Sequence, residues 1–403
     1  MKEYSFNIDT THHRGIAAVG ETVAFSAMLQ EYSSKINRGI IRWRISRNGG
    51  TVVSSGETPS SSFCPTVRFV PELPGYYKCI QEGIVGDEVV RENVIGVLVD
   101  PKQIVPSLPV PSDFREFWQK RIDIMRNVPM EVRRTEFESS DTVSVSDIQI
   151  NCYGNRPVSG ILLIPGQAEK RSRPAVLNLD GAGVRTAGCD LSACLAERGF
   201  ITLDVNAHGI PNRREPEYYH KLNEKELAEY FLRGFDSGDR ESVYMLGVFL
   251  RCVRAIDYLT SLPEWDGRNL FLLGGSQGAW QCLAGAALSG KVTGAAVSIP
   301  AGCDLWSGGW PFNHLTGKTD KPETLKHMLP YFDCCGFCSE IRNIPVQFFV
   351  GLADEVCRAD GVLAAYNLLA TPRKKLLLDC RMKHEWAEAQ IVAQMEFLSK
   401  MLI

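Results

Sequence analysis

Gly274-Gly-Ser-Gln-Gly278 is a G-x-S-x-G pentapeptide set between an apolar run, Asn269-Leu-Phe-Leu-Leu273, and the helix-forming stretch Ala279-Trp-Gln-Cys-Leu-Ala-Gly-Ala-Ala-Leu288. Strand, sharp turn and helix in that order make a nucleophile elbow: glycines let the strand and helix approach, and the strained turn lifts the serine hydroxyl above the sheet. Ser276 is the candidate nucleophile. A serine hydroxyl needs a base, and an imidazole serves as one only when a carboxylate fixes its tautomer and stabilises the imidazolium. Behind such an elbow the acid and then the histidine follow in chain order, each on a loop beyond the carboxyl end of a strand. Of the three histidines after Ser276, His314 and His327 lie in a polar insertion, whereas His384 follows the apolar run 375–378, so His384 is the expected base. Asp354 stands four residues beyond the strand candidate 346–350 and is the expected acid; Glu355 and Asp360 compete with it, and Asp379 lies too near its strand end. The oxyanion of an acyl transfer needs two preorganised N–H donors, expected here from the backbone of Gln277 and, in Leu179-Asp-Gly-Ala-Gly183, of Ala182.

Those residues need a sheet to hold them. Runs apolar on both faces at 175–179, 200–205, 270–273, 295–299, 346–350 and 375–378 alternate with helical segments such as 191–198 and 242–262. That alternation predicts a doubly wound, mostly parallel sheet covered by helices on both sides, an α/β-hydrolase fold, entered through an antiparallel pair at 147–152 and 158–164. Residues 1–100 have a different texture, with short alternating runs separated by turn signals such as Arg47-Asn-Gly-Gly50, Pro71-Glu-Leu-Pro-Gly75 and Gly86-Asp87. They predict an all-β sandwich. Trp43 on a central strand and Tyr77 two residues before Cys79 resemble the core tryptophan and tyrosine corner of an immunoglobulin-like domain, although the first inter-sheet cysteine is missing, so no core disulfide is expected. Residues 101–111 read as a proline-rich linker, and 112–403 as the catalytic domain, opening on a helix capped by Ser112.

With these residues in view, the second domain resembles the acetyl xylan esterase and cephalosporin C deacetylase family, carbohydrate esterase family seven. The likeness runs in register from about Pro109 to the C-terminus: Asp113-Phe-Arg-Glu-Phe-Trp118, Val158-Ser-Gly-Ile-Leu-Leu-Ile-Pro165, Arg254-Ala-Ile-Asp-Tyr-Leu259 before the pentapeptide, Tyr331-Phe-Asp333, Gly351-Leu-Ala-Asp-Glu-Val-Cys357, Ala364-Ala-Tyr-Asn367 and His384-Glu385. The resemblance implies the same Ser276, Asp354 and His384, a carbohydrate acetyl ester as substrate and a ring-like homohexamer. Two loops depart from the family pattern. Asp180-Gly-Ala182 replaces His-Gly-Tyr and Asn206-Ala-His-Gly209 replaces Arg-Gly-Gln-Gly, which makes Asp180, Asn206 and His208 substrate-pocket candidates. Trp310 joins them from the insertion 303–343, where Trp306, Phe312 and Tyr331 either pack on sugar rings or fill a satellite core.

Composition narrows the remaining possibilities. A net charge of −3 with scattered basic residues offers no footprint for nucleic acid or an anionic membrane, and no run of eighteen apolar residues occurs. The expected partner is a small-molecule or oligosaccharide ester, and the chemistry needs no metal or organic cofactor. Thirteen cysteines without a small-domain spacing pattern read as reduced thiols, Cys335-x-x-Cys338 included. The polar start at Met1 points to a cytoplasmic protein, or to a secreted or periplasmic one if a leader has been removed. A serine hydrolase of another ester or peptide class, and a glycan- or partner-binding scaffold with a vestigial hydrolase domain, are the alternatives.

Overall fold

The structure, a computed structural model, describes residues 3–402 except 33, 36–38, 61–63, 155, 189 and 308–319. The chain divides into two compact units. The first comprises Met1–Val105 together with Val350–Asn367 and Leu377–Glu385; the second comprises Pro106–Phe349, Leu368–Leu376 and Trp386–Ile403. The boundary expected from sequence, a linker at 101–111, is thus close to the chain's crossing point at 105–106. The two later segments of the first unit, 350–367 and 377–385, fall within the 112–403 expected from sequence to be the catalytic domain.

In the first unit, residues before 100 form two sheets. Tyr4–Thr10, Val23–Glu31 and Ser34–Lys35 make one, with Thr66–Phe69 also pairing with Val23–Glu31; the other has the order Ile16–Ala17, Glu88–Val99, Gly75–Val85, Gly39–Arg47, Thr51–Pro59. The Asn-Gly signal makes its hairpin as expected: Asn48 and Gly49, at φ 46° and 74°, turn Gly39–Arg47 into Thr51–Pro59. Tyr77 Oη donates to Leu73 O at 2.8 Å, and Cys79 is a fully buried free thiol whose pKa burial pushes up to about 12. Trp43 is only half-buried, its ring lying against Gly56 on the neighbouring strand.

A nine-stranded sheet runs in the order Val132–Phe137, Val143–Ile150, Val158–Pro165, Ile201–Asn206, Arg173–Leu179, Trp265–Gly275, Gly294–Ser298, Val346–Gly351, Lys374–Asp379, all of it in the second unit except the final residues of its last two strands, which fall in the first. The first four strands pair antiparallel, and Arg173–Leu179 pairs parallel with both its neighbours. Phe271 and Leu273 point to one face, where they cluster with Leu195 of the helix Asp190–Glu197 and with Phe397 and Leu398 of the helix Glu388–Met401. Leu272 points the other way, towards the helices Tyr244–Leu259 and Gln277–Ser289, which meet so closely at Gly285 that a Cβ there would lie 2.8 Å from Cys252 Sγ. Helices therefore cover both faces, as the sequence predicts. Trp118, Phe249, Trp280 and Phe337 join the helices of the second face in a ring cluster. The helix after the linker is Phe114–Arg126, and its N-cap is Asp113, one residue later than the expected Ser112; the Asp113 carboxylate accepts from Tyr331 Oη instead of capping. Among the described residues no helix is long and apolar enough to cross a membrane.

Candidate active site

Chain order along the sheet sets a topological switch point. After Arg173–Leu179 the chain runs outward to Ile201–Asn206, then returns to Trp265–Gly275 on the other side, so the loops leaving Leu179 and Gly275 diverge from adjacent strands. A gap at such a switch point is where open α/β sheets bind ligands. Ser276 stands at its edge with φ 53° and ψ −120°, a conformation a non-glycine residue keeps only when its surroundings impose it. Here Ser276 N donates to Ser298 O at 3.0 Å, and Ser276 O accepts from Ala301 N at 3.1 Å. The flanking glycines are sterically required. A Cβ on Gly278 would lie 1.8 Å from Leu179 O, and one on Gly274 would lie 2.6 Å from Gly278 C; Gly275 lies beside the ring of Trp386.

The loop after Leu179 runs beside the serine, since a Cβ built on Gly181 would be 3.8 Å from Ser276 Cβ. Arg185 pins this loop by donating to Gly181 O at 3.0 Å and Ala182 O at 3.2 Å and by pairing with Asp180 at 3.4 Å, which fixes the peptide planes that carry the Ala182 N–H. Gly183 N donates to Tyr230 Oη at 3.3 Å, and Tyr230 Oη donates in turn to Gln277 Oε1. Gln277 Nε2 is buried and meets no acceptor among the described residues.

His208 lies beneath the same loop. Its Nε2 meets Gly183 O at 3.1 Å and its Nδ1 meets Tyr244 Oη at 3.0 Å. Because a carbonyl only accepts, Nε2 carries the proton and Nδ1 accepts from the tyrosine. Burial is the main cause that lowers this imidazole's pKa to about 4, and Arg251, Arg156 and Arg185 act in the same direction. An unfolded histidine takes up its proton near pH 6.5, so between pH 6.5 and 4 the unfolded chain binds the extra proton and stability falls with falling pH. At pH 5 the term amounts to about 2 kcal/mol. His208→Asn should therefore lose about 2 kcal/mol less than the wild type between pH 7 and pH 5 in urea unfolding; equal losses would remove His208 as the origin.

The acid and the histidine sit in the first unit on two loops joined along their backbones. Leu352 N donates to Asp379 O at 2.8 Å and Ala353 N to Met382 O at 3.0 Å. Asp354 is 1% exposed. Its Oδ1 accepts from the backbone N–H groups of Val356 and Cys357, both at 2.8 Å, and its Oδ2 accepts from His384 Nδ1 at 2.8 Å. With the Nδ1 proton held by the carboxylate, Nε2 of His384 is the ring's acceptor. Of the competing carboxylates, Glu355 pairs with Lys78, Asp360 with Arg358, and Asp379 accepts from Arg381 N and Met382 N. The donor atoms of Asp354, Cys357 and His384 lie within 4.8 Å of one another, with both Asp354 oxygens engaged as above.

The expected pocket residues divide. Asp180 is half-exposed. Asn206 and His208, expected to face substrate, are buried at 4% and 0% exposure. Asn206 shapes the turn that follows it, donating to Ile210 O and Asn212 Oδ1 and accepting from His208 N and Ile210 N; both residues support the loops instead of presenting to a ligand. Trp310, with Phe312 and His314, lies outside the described residues. His327 is exposed on the helix Pro322–Met328, and Tyr331 is buried against Phe117. Cys335 and Cys338 are buried free thiols, pushed by burial well above the ordinary thiol pKa. Sequence reasoning missed Arg185, Tyr230 and Trp386. The indole of Trp386, 51% exposed beside Gly275, could have been flagged by its place two residues after His384.

The family model for acetyl xylan esterase (AXE1) matches residues 98–401. The chain belongs to the acetyl xylan esterase family. Membership places it among the esterase hydrolases and leaves the β-strands before residue 98 outside the family match. A curated member, acetyl esterase Axe7A of Xylanibacter ruminicola, is 33% identical over 298 residues, which cover 71% of this chain and 66% of that protein. The chain thus spans just under two thirds of that relative's length. Two solved structures share the fold: the acetyl xylan esterase from Paenibacillus sp. R4 (TM-score 0.65, 23% identity, 74% of this chain and 98% of that one) and acetyl xylan esterase 1 from Thermoanaerobacterium sp. JW/SL YS485 (TM-score 0.63, 21% identity, 74% and 96%).

Proposed function

We propose that this acetyl xylan esterase family member is a serine carboxylesterase that removes acetyl groups from carbohydrate, with acetylated xylo-oligosaccharides as the substrate class. The observation that carries the reading is Ser276 at φ 53° on a strand-to-helix turn at the switch point of the sheet; the Asp354–His384 hydrogen bond supports it. Ser276 Oγ attacks the acetyl carbonyl while His384 Nε2 takes its proton. The N–H groups of Gln277 and Ala182 receive the oxyanion, and His384 returns the proton to the departing sugar oxygen. A water molecule, deprotonated by His384, then releases acetate and restores the serine. Asp354 holds the imidazole in the required tautomer through both steps. Asp180, on the loop beside Ser276, and the exposed ring of Trp386, beside Gly275, are the residues this reading assigns to the leaving sugar, since an indole gives a sugar ring an apolar surface to stack on. The N-terminal strands form an immunoglobulin-like sandwich in this reading, and the assembly is a homo-oligomer.

The test is a substrate panel. Acetylated xylo-oligosaccharides, acetylated monosaccharides and cephalosporin C should be deacetylated, and 4-nitrophenyl acetate should be preferred to the butyrate and longer esters. A fluorophosphonate probe should label Ser276. Preference for long acyl chains would point to a different ester class, and failure of the probe to label Ser276 would refute the serine mechanism.

A further inference from the structure

The first unit gathers the N-terminal strands and the two loops that carry Asp354 and His384 into one compact body. The contacts within it are concentrated. On the strand Gly75–Val85, Tyr76, Lys78 and Ile80 alternate and so share one face of the five-stranded sheet, and the register puts Leu98, Gly96 and Val94 of the next strand beside them on that face. This face meets the residues on either side of the acid. Tyr76 Oη, fully buried, donates to Leu352 O at 2.5 Å. Ile80 and Val94 pack against Ala353, and Lys78 pairs with Glu355. Gly96 lies so close to the loop that a Cβ on it would sit 2.0 Å from Leu352 O, and its N–H donates to Cys380 O at 2.9 Å, four residues before His384. Further along the acid loop, Arg358 donates to Asn48 O at 2.8 Å across the hairpin turn.

Resting on the serine-esterase reading, we infer that the N-terminal β-domain is part of the catalytic apparatus: its sheet face is the platform that positions Asp354 and His384, with Tyr76, Lys78 and Gly96 as positioning residues. The physical basis is the sensitivity of a triad to geometry. A carboxylate displaced by about 1 Å stabilises the imidazolium less and orients it less well, and misplacements of that size cost up to about a hundredfold in rate. The loop holding Asp354 makes its own tight turn through the amides of Val356 and Cys357. That turn defines the shape of the loop, and the sheet face defines where it lies within the unit. The role needs a domain that the family match does not include, so members without one must place the loop by other contacts.

The experiment uses the full chain and Tyr76→Phe, which deletes one hydroxyl and leaves Leu352 O buried without that donor. Expected are a fall in kcat for 4-nitrophenyl acetate of about tenfold, a KM within about twofold, and an acid limb of the kcat/KM profile moved to lower pH, because a less well-placed carboxylate favours the protonated imidazole less. Tyr77→Phe is the control. It removes the neighbouring hydroxyl, whose bond to Leu73 O stays among the strands and turns before residue 100, and should keep kcat and both pH limbs. If Tyr76→Phe does not fold, Lys78→Gln, which removes the pairing with Glu355, reads out the same limb shift with a fall of a few fold. A wild type inactive on every ester would defeat the esterase reading. An active wild type whose folded Tyr76→Phe variant, or Lys78→Gln in its place, keeps kcat and its acid limb, or loses activity no more than Tyr77→Phe does, would overturn this inference alone.

Discussion

Ser276→Ala should lower kcat for 4-nitrophenyl acetate by at least about 10³-fold while the protein stays folded and binds substrate with little change in KM. The size follows from what the hydroxyl does: without it no acyl-enzyme forms, and only water attack assisted by the oxyanion donors remains. The backbone at Ser276 adds a second, separable expectation. At φ 53° and ψ −120° an alanine is strained as much as the serine is, whereas glycine is not. Ser276→Gly should be equally inactive yet unfold about 1 kcal/mol later in urea than Ser276→Ala. Comparable stabilities would show that the turn carries no strain that glycine can relieve. An alanine variant retaining near wild-type turnover would move the nucleophile elsewhere.

The second large effect is expected from Asp354→Asn, and it comes from the hydrogen bonds the side chain makes on its other oxygen. Oδ1 accepts two backbone N–H groups, from Val356 and Cys357. An asparagine must keep its oxygen there, so its amide –NH₂ turns to His384 where Asp354 presents Oδ2. A donor facing Nδ1 forces the proton onto Nε2, and the ring can then no longer accept a proton from serine. The rate should fall by about 10⁴-fold, as wrong-tautomer variants of serine hydrolases do. Asp354→Ala, which leaves the imidazole free to choose its tautomer, should be less damaging if its loop holds. A turnover recovering steeply as pH rises well above neutral, where hydroxide can replace the base, would support the tautomer account. An Asp354→Asn variant within about tenfold of wild type would reject it.

Which of these residues could be read from the sequence depends on how local the signal is. Ser276 is marked by glycines that a close backbone approach makes obligatory, and Asp354 and His384 by their distance beyond two apolar runs. These are features of a few adjacent residues, and the structure joins that aspartate and that histidine by a hydrogen bond while Glu355, Asp360 and Asp379 are engaged elsewhere. The strand runs were legible for the same reason, to within one or two residues at most ends; the longest miss is Trp265–Gly275, whose first half is too polar to register. Asn206 and His208 misled because polar residues after a strand look like pocket residues. Whether such a group faces a ligand or a buried carbonyl is decided by partners such as Gly183, Tyr244 and Asn212, which lie up to 36 positions away. Arg185 and Tyr230 went unnoticed because their roles are made entirely by the loop they touch. The grouping of residues 350–367 and 377–385 with the N-terminal strands left no trace in periodicity at all, since it depends on Tyr76, Lys78, Ile80 and Gly96 of one sheet face meeting loops more than 250 positions away.

The bond from Tyr76 to Leu352 links residues 276 positions apart. Closing a loop of that length costs about 5 kcal/mol of chain entropy, roughly 3 more than a ten-residue turn, and contacts of such separation form late. During synthesis the first hundred residues leave the ribosome long before the segments they enclose, and the sheet face around Gly96 waits for a strand-end loop some 250 residues downstream. Asp354 and His384, placed by that long-range contact, are expected to be among the last groups fixed in place during folding. Activity should disappear at lower denaturant than the bulk helical signal does, which makes turnover itself a sensitive reporter of whether the two ends of the chain have met.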